Sequence, residues 1–178
     1  MVPSILAIDI GTSSCKAAVF SEDGQLLALG KGRYSLLFPE KGQVEQNPKE
    51  IFEGVGQAIQ ALNKGGSDLS QVQAISFSAQ IFAQCLVDKA GEPLTNLISW
   101  MDGRARKEAQ VFTQKFSATR VEELTGMDMV VTPAYGVTKL CWLQKHQPEP
   151  VRCAYRFIQI KDYVIYRLTG NWYRIPPV

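Results

Sequence analysis

Asp9 closes the apolar run Ile5-Leu6-Ala7-Ile8, and Ile10 then leads into Gly11-Thr12-Ser13-Ser14, with Lys16 shortly after. A carboxylate at the end of an apolar run is costly unless it is hydrogen-bonded, paired or holding a metal. The run therefore reads as a central strand covered on both faces, with Asp9 partnered at its end. Gly11 permits a tight turn, and the hydroxyls and N–H groups of Thr12, Ser13 and Ser14 are of the kind that surround phosphate oxygens. Together they read as the phosphate end of a nucleotide site, in which Asp9 addresses Mg²⁺ directly or through water. The same residues also suit a hairpin in which Asp9 merely caps the turn. Lys16 either adds positive charge beside the site or points to solvent.

Other chemistries have less support. Cys15, Cys85, Cys141 and Cys153 are widely separated, form no Cys-x-x-Cys pair and have only His146 as a companion, which argues against zinc. They read as reduced and structural, with Cys85 and Cys141 packed within apolar stretches. His146 precedes Gln147-Pro148 at the end of a helical pattern, where a cation is favoured by the carboxyl terminus. The length of 178 residues, 46% apolar and 20% charged, suits a single folded domain with a proper core. A net charge of +2 with scattered basic residues leaves no electrostatic stripe for nucleic acid. No apolar run approaches a bilayer span and no signal-peptide plan opens the chain, so the expectation is a cytoplasmic protein with no membrane partner.

The elements that must position these residues follow from pattern. A strand to Ile10, a second over 16–20, the turn Glu22-Asp23-Gly24 and a third strand over about 25–30 make a meander. Asn47-Pro48-Lys49-Glu50 announces a helix carried by Ile51, Phe52, Val55, Ile59 and Leu62 and ended at Gly65-Gly66. A strand over 72–77 precedes the polar break at Gln80, and Cys85-Leu86-Val87 is a further apolar stretch. After the loop ending in Trp100-Met101-Asp102-Gly103, helices are expected near 104–116, 119–124, 135–145 and 161–168, with a short strand over 156–159. Asn171-Trp172-Tyr173-Arg174 begins like another strand, which Ile175-Pro176-Pro177-Val178 stops. Meander, helix, strands and helices define an α/β layered domain with a mixed sheet, with no repeat and no linker.

Five segments then fall in a recognisable order: Ile8-Asp9-Ile10-Gly11-Thr12-Ser13, Val44-Glu45-Gln46-Asn47-Pro48, Ile75-Ser76-Phe77-Ser78-Ala79-Gln80, Ser99-Trp100-Met101-Asp102-Gly103-Arg104-Ala105, and Lys161-Asp162-Tyr163 through Leu168-Thr169-Gly170. In that order they resemble the amino-terminal domain of the FGGY carbohydrate kinases, the xylulose, gluconate and glycerol kinases among them, over nearly the whole chain. The resemblance implies a ribonuclease-H-like, actin-like fold with flanking helices. It implies MgATP as cofactor and a small sugar, polyol or sugar acid as the second partner, and it leaves a homodimer open. In such a kinase, sugar and nucleotide meet in a cleft between two domains. The family's catalytic base and its carboxyl-terminal nucleotide domain lie beyond Val178, so residues 1–178 are expected to form the sugar-binding domain and to be inactive alone.

By the same resemblance, Asp9, Gly11, Thr12, Ser13 and Lys16 serve the phosphates and Mg²⁺. Gln80, Trp100, Asp102 and Arg104 form the sugar wall: Trp100 stacks on the sugar, Asp102 accepts its hydroxyls, and Arg104 donates to it or orients Asp102. Residue by residue, the plainer assignment is a core Trp100, a capping Asp102 and a surface Arg104. Xylulose and gluconate kinases often carry Gln-Met-His where this chain has Gln80-Ile81-Phe82, so a polar contact gives way to an apolar ring. The Lys161-Asp162-Tyr163 segment leans toward gluconate-like kinases. Two rival functions share the fold: a non-catalytic sugar-binding or regulatory module, and another actin-like ATPase relative.

Overall fold

A computed structural model describes residues 3–65, 68–126 and 130–172. The chain gathers into two compact units: one of the residues through Leu36 with Gln46–Gln80, the other of Leu37–Glu45 with the residues from Ile81 onward.

The first unit is built on the expected meander. Strands β1 (Ser4–Ile10), β2 (Ser14–Ser21) and β3 (Leu26–Arg33) are antiparallel neighbours, and β5 (Val72–Ala79) lies parallel to β1 at the other edge, giving the order β3-β2-β1-β5. Helix α1 (Pro48–Lys64) crosses from β3 to β5 and packs on one face of the sheet. Asn47 caps it as anticipated, its Oδ1 accepting from Lys49 N at 2.9 Å. Glu50 is used otherwise than in a capping box, because its Oε1 accepts from Ser35 N at 2.9 Å. The close seating of α1 depends on glycine: a Cβ at Gly30 would lie 2.0 Å from Ala58 O, and one at Gly32 only 1.8 Å from Gly54 O.

The covered, two-sided strand expected at the amino terminus is corrected here. Burial alternates along β1: Ser4, Leu6, Ile8 and Ile10 are buried, while Ile5 is 42% exposed and Ala7 and Asp9 are half-buried. Helix α1 covers one face, and the apolar residues that extend the run occupy the other, more open face. Asp9 therefore does not bear the full cost of burial on which its partnering was first argued.

The second unit carries a sheet of order β4-β7-β6-β8, with β6 (Gln84–Val87) central between β7 (Leu97–Ile98) and β8 (Arg156–Gln159). Short β4 (Glu45–Gln46) enters this unit through Glu45. Helices α2 (Arg106–Lys115), α3 (Ala118–Thr125), α4 (Gly136–His146), α5 (Pro148–Cys153) and α6 (Ile160–Thr169) complete it. Leu86, Ile98 and Leu143 centre one apolar core, while Val121, Val131 and Tyr135 centre a smaller one that takes in Phe82 and Phe112. The two-residue strands β4 and β7 and the six-residue α5 lack any pattern long enough to read in sequence. His146 does end α4, stacked on Trp142 at 4.7 Å. Cys141 is exposed rather than packed, because α4 turns it outward; Cys15 and Cys85 are buried, and all four thiols are free. The strand expected beyond Trp172 lies outside the described residues. No helix among the described residues is long and apolar enough to cross a membrane.

Candidate functional site

The sequence-selected residues fall into two constellations, one in each unit. In the first unit, the β1–β2 register sets Asp9 opposite Lys16, and Lys16 Nζ stands 3.8 Å from Asp9 Oδ2, with the two side chains 57% and 50% exposed. An exposed pair of this kind is worth about 0–1 kcal/mol and leaves the carboxylate accessible. The turn between these strands is closed by Gly11 N donating to Ser14 O at 3.0 Å, where a Cβ on Gly11 would press on that oxygen at 3.1 Å.

The turn's carbonyls are occupied from behind. Tyr34 Oη donates to Gly11 O at 2.6 Å, and Gln46 Nε2 donates to Thr12 O at 2.9 Å. Gln46 is itself held by Gln80, whose Nε2 donates to Gln46 Oε1 at 2.7 Å, while Gln80 N donates to Ile10 O at 2.8 Å. This chain of amides fixes the turn and leaves Gln80 Oε1 buried with no partner among the described residues. Behind the turn, burial and the nearby Asp9 charge push the Cys15 thiol up to about 12. Burial, then Cys15 and Asp9, raise the Tyr34 phenol well above its ordinary range. Both groups stay neutral, so Asp9 supplies the negative charge there. Gln46 was visible in sequence only as part of a motif; its support of Thr12 is a long-range contact.

In the second unit, the loop after β7 is organised around a buried ion cluster. Asp102 Oδ1 accepts from Arg104 N at 2.8 Å and Arg104 Nε at 2.9 Å; its Oδ2 accepts from Val44 N at 2.6 Å and Arg104 Nη2 at 2.9 Å. A carboxylate offers about four lone-pair sites, and all are engaged. In this geometry Asp102 shapes the loop and orients Arg104. Arg104 is no surface residue: its side chain is 2% exposed, its Nη2 also reaches Glu45 Oε1 at 2.7 Å, and its guanidinium stacks 4.9 Å from the Trp142 ring. Asn96 Nδ2 completes the cluster by donating to Glu45 Oε2 at 2.8 Å. Trp100, by contrast, is 47% exposed and not a core residue. Arg104 and Trp142 line a cleft of about 560 Å³ with Lys41, Gln43 and Arg106.

The chain enters β6 through Phe82, the one non-glycine residue with positive φ among the described residues, at 53°. Holding a bulky residue in this region costs about 1–3 kcal/mol, which the surroundings must offset. The Phe82 ring stacks on Tyr135 at 5.0 Å, so it is drawn toward the small core. Lys139, fully buried on α4, donates from Nζ to Phe82 O and, at 3.2 Å, to Ile98 O. Sequence reading passed over Lys139. A signal existed, since Lys139 stands four residues from both Tyr135 and Leu143, on the helix face that is buried.

Residues 4–174 match the family described as "FGGY family of carbohydrate kinases, N-terminal domain". The chain belongs to the FGGY family of carbohydrate kinases. It is 33% identical over 172 residues to a gluconokinase of Bacillus licheniformis, covering 97% of this chain and 33% of that relative. A xylulose kinase of Staphylococcus xylosus is 28% identical over 97% of this chain and 35% of its own length. Among solved structures, gluconate kinase from Lactobacillus acidophilus superposes with a TM-score of 0.87 at 31% identity, over 97% of this chain and 34% of that one. The chain thus spans about a third of the length of the relatives it matches. The mixed α/β fold implied by the resemblance is the one found, shared with FGGY kinases and consistent with the actin-like ATPase fold.

Proposed function

We propose that this chain supplies the phosphate-facing turn and the sugar wall of an ATP-dependent carbohydrate kinase that moves the γ-phosphoryl group to a hydroxyl of a sugar, polyol or sugar acid. The observation that carries this reading is the Gly11–Ser14 turn with the accessible Asp9 carboxylate at its mouth and the Gly11 and Thr12 carbonyls already taken by Tyr34 and Gln46. A turn whose Gly11 and Thr12 carbonyls are engaged, rich in N–H groups and hydroxyls, is of the kind that suits a polyphosphate. Phosphoryl transfer asks the protein mainly for orientation and charge neutralisation. Thr12 and Ser13 hydroxyls serve the phosphate oxygens, and Lys16, the counter-ion of Asp9, shifts its charge to them.

A half-exposed carboxylate flanked by hydroxyls fits Mg²⁺, which keeps several waters and takes other ligands from phosphates. When bound, the ion neutralises phosphate charge; Asp9 is the residue that would hold it. Trp100 contributes its exposed ring to the sugar. Asp102 and Arg104 hold the loop that presents Trp100. The reaction belongs in the cytoplasm, where ATP is available. Because the chain spans a third of its relatives, the isolated polypeptide binds ligands without turnover.

Calorimetry of the chain with MgADP and with gluconate, xylulose or glycerol, alongside an ADP-release assay, tests the reading. Asp9→Asn is expected to lose the Mg²⁺ dependence of ADP binding and to keep sugar binding. Equal MgADP affinity in wild type and variant would refute the phosphate turn. Sugar binding by a chain with no nucleotide affinity would favour the non-catalytic module.

A further inference from the structure

Two segments of the second unit flank its sheet strands: the Ile81–Phe82 entry to β6, and the Ser99–Arg104 loop that leaves β7 and bears Trp100. One buried side chain touches the backbone of both. Lys139 Nζ donates to the carbonyl of Phe82, at the residue with positive φ, and to the carbonyl of Ile98, immediately before the Ser99–Arg104 loop.

We propose that Lys139 is a positioning residue, a buried clamp that ties the strained Phe82 turn to the root of the Trp100 loop and so fixes how that loop presents Trp100. This deepens the kinase reading and rests on it for the identity of the wall.

Three observations carry it. Lys139 is fully buried, a rare state for lysine, and its amine is spent on two carbonyls, with no carboxylate bonded to it among the described residues. A surface-bound stem could not span α4, β6 and β7 at once. The Phe82 backbone conformation is one that persists only where the surroundings over-determine it; its ring packs on Tyr135 in the small core and its carbonyl accepts from Lys139 Nζ. Finally, the Asp102–Arg104 cluster sits on the loop that Ile98 anchors, so displacement at Ile98 passes directly to the segment bearing Trp100. Burial, chiefly, lowers the amine toward neutrality, and a neutral amine still has two hydrogens for two carbonyls.

Lys139→Met keeps the volume and removes both donors; Lys139→Gln keeps a donor on a shorter stem. Both are compared with wild type by residue-resolved amide hydrogen exchange and by calorimetric binding of gluconate, xylulose and glycerol. The expectation for Lys139→Met is about ten-fold or faster exchange at Ser99, Asp102 and Gly103, with unchanged protection of the β1–β2 ladder in the first unit. Sugar affinity is expected to fall about ten-fold, and Lys139→Gln to lie between the other two proteins in both measures. If Lys139→Met does not fold, Lys139→Gln is read by the same two criteria.

Unchanged loop exchange, or acceleration of equal size in both units, overturns the clamp, as does unaltered sugar affinity beside loosened loops. A wild-type chain that binds none of the three sugars instead removes the wall assignment, while the exchange contrast still decides whether Lys139 holds the two segments.

Discussion

Raising the pH from 7 to 9 should stabilise this protein, and Lys139 is the reason. Its amine is pushed from the ordinary 10.5 down to about 7, first by burial, with the Asp102 charge opposing that fall and the Arg104 charge adding to it. Above about pH 7 the folded chain holds the amine neutral, whereas the unfolded chain keeps it charged up to 10.5. The unfolded state therefore binds the additional proton, and stability climbs with pH by at most about 1.4 kcal/mol per unit. Integrated from pH 7 to 9, the Lys139 gain is about 2 kcal/mol, from which the buried Cys15 and Cys85 thiols subtract roughly 1 kcal/mol by pH 9, leaving a net rise of about 1.5 kcal/mol, or about 3–6 °C in Tm for a chain of this size. Beyond pH 9 the trend reverses. Cys15 and Cys85 are both raised from 9.0 to about 12 by burial, so the unfolded thiols lose protons that the folded ones retain. Urea unfolding followed by tryptophan fluorescence reads the relevant part of the molecule, because Trp100, Trp142 and Trp172 all lie in the unit that contains Lys139. Lys139→Met should abolish the rise between pH 7 and 9 and leave the fall above it. Parallel profiles for wild type and Lys139→Met would refute the reasoning.

Removing Arg104 should be severe, since Arg104→Met strands the buried Asp102 carboxylate and the partly buried Glu45 beside it. A loss of about 3–5 kcal/mol in urea unfolding is expected, and a loss under about 1 kcal/mol would deny the cluster its role. Glycine substitutions in the first unit should have opposite signs. Gly32→Ala drives a Cβ into Gly54 O and should cost about 3 kcal/mol or more, while Gly56→Ala, in α1 with nothing within 4 Å, should gain about 0.5–1 kcal/mol. Circular-dichroism melts of the two variants check both. Asn47→Ala should remove about 1 kcal/mol with the cap of α1, read in the same melts.

The resemblance was legible because five short motifs occur in a fixed order, and most elements were legible because each repeats a local pattern. The meander follows from apolar runs punctuated by Asp23-Gly24, and α1 from Asn47, Pro48 and a helical apolar period. Such signals need only neighbours along the chain. What failed depended on partners far away: β1 was read as covered twice because its apolar count cannot say that α1 shields one face alone. Cys141 looked packed for a similar reason.

Asp9, Gly11 and the hydroxyls after it were set by the order of residues itself, since a strand, a tight turn and a returning strand bring Asp9 opposite Lys16 without help from elsewhere. Tertiary structure alone decided the fate of Asp102, Arg104 and Lys139. Their partners, Val44, Glu45, Phe82 and Ile98, lie about 40–60 positions distant in the chain. A carboxylate is the same in sequence whether its lone pairs face a ligand or are filled by a buried arginine. Only folding, which closes those long loops and excludes water from the cluster, selects between the two.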